Sequence, residues 1–257
     1  MTQSRLGGAP SDSPDRGPAF PPTRPSVVQA LESPDPPTRQ RASETIAATY
    51  WKPVYKYIRL RWNTPHEDGE DLTQAFFLVA FEKGWLGRYD PSRARFRTFL
   101  RTCVDGHAAN WQRAERRTKR GGQFAFVAMD FVAAEQEFRD AGPAPDADVE
   151  AFFQREWVRA VFELAIAGLR EESAASGKEI PFALFLRYDI EATRRDETLT
   201  YADLAREFAL PRTQVTNFLA SARGRFRHHV LEALAELTGS DEEYAEAVRD
   251  VLGIAVP

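Results

Sequence analysis

The chain has 257 residues, 43% of them hydrophobic, enough for one large core or two small ones. Its formal net charge is −4, which argues against a simple nucleic-acid coat, and Cys103, its one cysteine, excludes an internal disulfide and a cysteine-rich zinc site. The charge is uneven, with ten Arg or Lys against three acids over 88–120, eleven acids against five bases over 123–178, and five Arg against two acids over 200–230; two basic blocks about an acidic spacer suggest two contacts with a polyanion.

Residues 1–40 are rich in Pro, Ser, Gly and Arg. Pro21-Pro22, Pro25, Pro34 and Pro36-Pro37 break a helix, and large apolar side chains are few, so a disordered tail is expected. The first periodic segment, 43–62, sets Ile46, Tyr50, Val54 and Ile58 at steps of four, one helical stripe. A second helix is predicted over 67–84. It opens on Glu67, Asp68, Glu70 and Asp71, buries Leu72, Phe76, Val79 and Ala80, and ends at Gly84. After a turn at Asp90-Pro91, a third helix over 95–117 carries Phe96, Leu100, Cys103 or Val104, and His107 or Ala108 on its inner face. Its end, Arg113 to Arg120, is basic. Residues 123–145, closing in Ala141-Gly142-Pro143-Ala144-Pro145, read as a linker. Beyond it come a helix over 146–172 with Phe152, Trp157, Val161, Leu164 and Leu169 apolar, a short helix over 181–188, and a polar connection over 191–197. The expected fold class is therefore all-α, with two helical domains, 41–122 and 146–236, and a C-terminal extension, 237–257, that holds a short acidic helix over 241–251.

The stretch from Leu199 to Arg227 reads as a helix-turn-helix. Thr200 can cap a first helix whose inner face is Leu204, Ala205 and Phe208. Ala209-Leu210-Pro211 makes the turn, and a second helix starts near Arg212 with Val215, Phe218 and Leu219 inward. That leaves Arg212, Thr213, Gln214, Thr216 and Asn217 at its exposed start. Arg pairs with guanine, Gln or Asn with adenine, and Thr with the thymine methyl, and the start of a recognition helix is the part that enters the major groove. Arg223, Arg225 and Arg227 follow as candidates for phosphate contacts. The bland alternative is a helical hairpin with a polar face.

Three further stretches sit in the front half: Asp71-Leu72-Thr73-Gln74-Ala75-Phe76-Phe77, then Tyr89-Asp90-Pro91-Ser92-Arg93-Ala94-Arg95-Phe96-Arg97-Thr98-Phe99-Leu100, then Asn110-Trp111-Gln112-Arg113 with its basic run. Together they resemble region two of the sigma-70 family of RNA polymerase sigma factors, in particular the short extracytoplasmic-function (ECF) type. Phe185-Leu186-Arg187-Tyr188 leading into the helix-turn-helix resembles region four. The likeness covers residues 42–122 and 146–232. It implies a non-enzymatic subunit without cofactor that carries core RNA polymerase to promoter DNA, and it leaves room for an anti-sigma protein as a further partner. Asp71, Gln74 and Phe77 would dock on the polymerase. Tyr89, Arg93, Arg95, Arg97, Asn110, Arg113, Arg116, Arg117 and Lys119 would open and hold the −10 element, with Tyr89 exposed and Phe96 in the core. Arg212 to Asn217 would read the −35 element. The chain departs from the family at Ala75, where Glu is usual, and at Ala209 and Pro211, where Gly and a Ser or Thr cap are usual.

No nucleophile–base pair or phosphate loop is present in the sequence, and the histidines (His66, His107, His228, His229) do not have metal-ligand spacing with carboxylates. The longest apolar run, 76–81, is too short for a bilayer and the N-terminus has no apolar signal segment, so a cytoplasmic protein is expected. Two rival readings remain: a stand-alone helix-turn-helix regulator with an oligomerising front half, and a sigma-like helical adaptor that binds protein and not DNA.

Overall fold

Asp35 and the two prolines after it set the start of the first long helix. The computed structural model describes residues 26–115 (side chains to 111), 127–143 and 147–254, and these are helical with no strand among them. A short helix, α1 (Val27–Ala30), is closed by a capping box between Ser26 and Gln29, and leads into α2 (Pro36–Arg61). Pro36 and Pro37, expected to exclude a helix, hold its first two positions. There a missing N–H costs nothing and φ is already helical. Asp35 accepts the Thr38 N–H at 3.1 Å. Residues 26–40 thus belong to the fold and not to a tail, and Val28 and Leu31 are buried.

The front bundle is α2, α3 (His66–Glu82) and α4 (Phe96–Glu115). Ile46, Tyr50, Val54 and Ile58 of α2 are all fully buried, as their spacing predicts. They meet Leu72, Phe76, Phe77 and Ala80 of α3 and Phe96, Leu100, Val104 and Ala108 of α4. Val79 is only half-buried.

The segment expected as a linker contains α5 (Phe131–Ala141), capped by Asp130 and ended by Gly142 in the left-handed region at φ 49°. Phe131 packs edge-on against Trp51 and Tyr55, with ring centroids 5.2 Å apart in each case. Behind it run α6 (Val149–Ala175), α7 (Glu179–Phe185), a wider π-helical turn (Leu186–Glu191) that enters α8 (Ala192–Arg194), then α9 (Tyr201–Glu207), α10 (Arg212–Leu237) and α11 (Asp241–Leu252).

Two of these helices join front to rear. Phe153, Trp157, Val161 and Ala165 of α6 lie in the front core, as do Val230, Ala233, Leu234 and Leu237 of α10. Their other ends meet at Leu169, Phe185 and Ala222, and Val215 and Leu219 of α10 complete a small core with Leu184 and Leu204. Trp157 Nε1 donates to Tyr50 Oη at 3.0 Å, and Lys56 pairs with Glu156 at 2.7 Å with both side chains buried. At Gly168 of α6 a Cβ would stand 2.9 Å from the His229 ring of α10, so glycine leaves the room that ring occupies. The expected pair of domains about a linker at 123–145 is therefore corrected to one front core that takes in half of α6 and half of α10, with a helix-turn-helix built on their far ends. A helical stripe reports that a face is buried, not which partner buries it. No helix among the described residues is long and apolar enough to cross a membrane.

Candidate nucleic-acid interface

The rear site starts from a cap. Thr200 accepts the Asp203 N–H at 3.2 Å while Asp203 accepts the Thr200 N–H at 2.9 Å, the reciprocal pair that starts α9. The bonds from Thr200 hold the Asp203 carboxyl below the ordinary carboxylate range. Leu204 is buried, and Ala205, Phe208 and Leu210 pack round it. The turn is made by Ala209 at φ 52°, a conformation that favours glycine. Pro211 then precedes α10 without a side-chain cap.

Val215 and Leu219 point inward, as predicted, and Arg212, Thr213, Gln214, Thr216 and Asn217 are all exposed. Thr216 Oγ1 turns back onto the Arg212 carbonyl at 3.1 Å. Arg212, Thr213, Gln214 and Asn217 make no side-chain hydrogen bond or ion pair with the described residues. One end of a rigidly held helix therefore presents a guanidinium, an amide pair and hydroxyls with free hydrogen-bonding capacity, the chemistry that reads base edges.

The arginines after it divide. Arg223 grips Asp189 through Nε and Nη2 at 2.9–3.2 Å, donates to Tyr201 Oη at 3.2 Å and lies over the Tyr188 ring. The Asp189 bonds raise its pKa further. Arg223 thus locks the π-helical turn to α10 and is not free for phosphate, a correction to its expected role. Arg225 pairs with Glu172 of α6, and Arg227 is exposed.

The front residues divide in the same way. Asp71 is exposed and Gln74 half-buried, but Phe77 is 1% exposed within the core beside Phe76 and Phe81. It cannot touch a partner, because its ring is enclosed in the front core. Arg93 and Asn110 are exposed. Tyr89, expected to be exposed, is half-buried. It donates to Glu243 at 2.9 Å and sits so close to Gly239 that a Cβ there would meet it at 2.4 Å. Burial, then the Glu243 charge, pushes its phenol pKa up. Arg95 pairs with Glu246 at 2.7 Å and Asp250 at 3.1 Å. Arg97 is 5% exposed, stacks 4.6 Å over Trp157 and bonds Asp250 at 3.0 Å. Its Nη1 is buried without a partner. Phe96 is in the core, and its N–H is capped by Glu243 at 2.7 Å. The side chain of Arg113, and Arg116, Arg117 and Lys119 altogether, lie outside the described residues.

The sequence places α11 within a residue of its observed bounds but gives no sign of what it packs against. Its carboxylates reach back about 150 positions along the chain to the start of α4, and no local pattern announces such a pairing. Among the described residues no group of three or more His, Cys, Asp or Glu is placed to hold a metal ion. Compared with known proteins, the chain matches no family model, no curated protein and no solved structure.

Proposed function

We propose that the chain is a sigma-70-like promoter-recognition subunit that binds core RNA polymerase and directs it to DNA, while the polymerase does the chemistry. The observation that carries this reading is the start of α10. Arg212, Thr213, Gln214, Thr216 and Asn217 stand exposed on a capped helix-turn-helix whose apolar anchors are all packed. The sigma-like motif with Asp71 and Gln74 at the other end of the molecule extends it from DNA binding to polymerase binding. A chain of net charge −4 binds DNA weakly alone; docking on polymerase raises the effective concentration of each DNA contact. The test is run-off transcription with purified core polymerase on pooled genomic promoters. Promoter-specific transcripts and co-purification with the core enzyme are expected, and the absence of both removes the reading.

A second reading has one observation in its favour. The rear helix-turn-helix is complete, while Tyr89, Arg95 and Arg97 at the front are engaged by the protein itself. A stand-alone regulator needs only the rear half. It would shift duplex DNA in a gel without polymerase and would do so as a dimer on a palindromic site.

A further inference from the structure

The three front residues assigned to melted promoter DNA and held by the protein itself are held by one helix. Glu243, Glu246 and Asp250 follow each other at helical spacing along one side of α11. They take Tyr89, Arg95 and Arg97 respectively, with Asp250 shared between the two arginines. A guanidinium fork binds carboxylate and phosphate by the same geometry, so each of these arginine contacts occupies a place a strand phosphate could take.

The contact has two layers. The inner carboxylate, Glu243, is 5% exposed and fully used, accepting from Tyr89 Oη, the Phe96 N–H at 2.7 Å and the Gly239 N–H at 2.8 Å. With Tyr244, Ala247 and Val248 in the front core, it anchors the helix. The outer layer is different. Arg95, Glu246 and Asp250 are 38%, 41% and 39% exposed, so the two Arg95 pairs are weak and screened by salt, while Asp250 also reaches the buried Arg97. The outer layer also leaves Arg97 Nη1 without an acceptor, a buried donor that the acidic helix does not satisfy.

We propose that α11 is a built-in acidic cover over the front polyanion-binding face, with Glu246 and Asp250 standing on Arg95 and Arg97 in place of strand phosphates. The inference rests on the sigma-like reading of the start of α4. DNA engages this face by exchanging the two outer carboxylates for phosphate oxygens, while Glu243 keeps the helix docked. The free protein is thereby held at low affinity for DNA until polymerase supplies the rest of the channel.

The test compares two double variants of the full chain with equal charge change. Glu246→Gln with Asp250→Asn removes the cover; Asp241→Asn with Glu242→Gln alters exposed acids of the same helix that touch neither arginine. Binding of a labelled, mixed-sequence single-stranded DNA is read by fluorescence anisotropy over a salt series. The first variant is expected to bind about three- to tenfold tighter than wild type, the range that releasing the two surface pairs of Arg95 allows. Its slope of log K against log salt steepens by about one as new phosphate contacts form. The control is expected to change less than about twofold, as for charges with no direct contact. Equal tightening in both variants, or tightening with an unchanged slope, overturns the cover. If wild type directs polymerase to promoters yet the first variant gains nothing, the cover alone fails; if no form binds DNA with or without polymerase, the sigma-like reading fails with it. Should the double variant lose its helical circular dichroism, Glu246→Gln alone carries the same test with a smaller gain.

Discussion

At the scale of single residues, Asp71 and Phe77 share one motif and have opposite fates. Phe77→Ala empties a packed aromatic site and should cost about 3–5 kcal/mol in urea unfolding, whereas Asp71→Ala, exposed, should stay within about 0.5 kcal/mol. On the proposed function, Asp71→Ala instead weakens capture of core polymerase, read by pull-down at equal protein concentration. His107 lies among Phe76, Trp85 and Trp111, and its buried Nε2 has no partner. Burial, aided by the Lys83 charge, lowers its pKa from 6.5 to about 4. The folded imidazole therefore stays neutral while the unfolded one takes up a proton. The contribution to stability is whole above pH 6.5 and is lost as the pH falls towards 4. A pH series of urea midpoints should show this loss in wild type and a shallower one in His107→Phe.

At the scale of elements, the turn of the helix-turn-helix stores a small strain. Ala209 holds φ 52°, where a Cβ is crowded. Ala209→Gly should raise stability by about 0.5–1 kcal/mol, read from the thermal midpoint, and leave α10 in place. Much of this unit was legible in the chain: Thr200 as cap, Leu204, Val215 and Leu219 as anchors, and the polar start of α10 all stand where their spacing puts them. So do the stripes of α2 and α4. The elements that escaped did so for physical reasons. α5 is short and buries a charge, since Glu135 is satisfied by Tyr55, Arg59 and Arg139 and reads in sequence as a surface residue. Prolines at the start of α2 look like breakers until the helix is known to begin there. Arg97 and Arg223 look like DNA ligands because their acidic partners, Asp250 and Asp189, are distant or belong to another element.

At the scale of the whole molecule, α6 and α10 pass through both ends of the protein, so front and rear should lose structure together. All five tryptophans (Trp51, Trp62, Trp85, Trp111, Trp157) lie in or against the front core, whereas helical circular dichroism reports on every element. Denaturant curves followed by the two signals should superimpose, and an early dichroic phase with unchanged fluorescence would mean that the helix-turn-helix melts as a separate unit.

The 26 residues of α10 make a rod about 39 Å long, with its exposed polar groups at one tip and the front core around the other. Such a strut transmits position where a slack tether would let its two ends find their targets independently. On the proposed function, the molecule then measures the separation of its two promoter elements as well as their letters. Promoters that differ only by insertion or deletion of single base pairs between those elements should show one narrow optimum in run-off yield, and a broad plateau would mean that the strut bends or undocks on the polymerase.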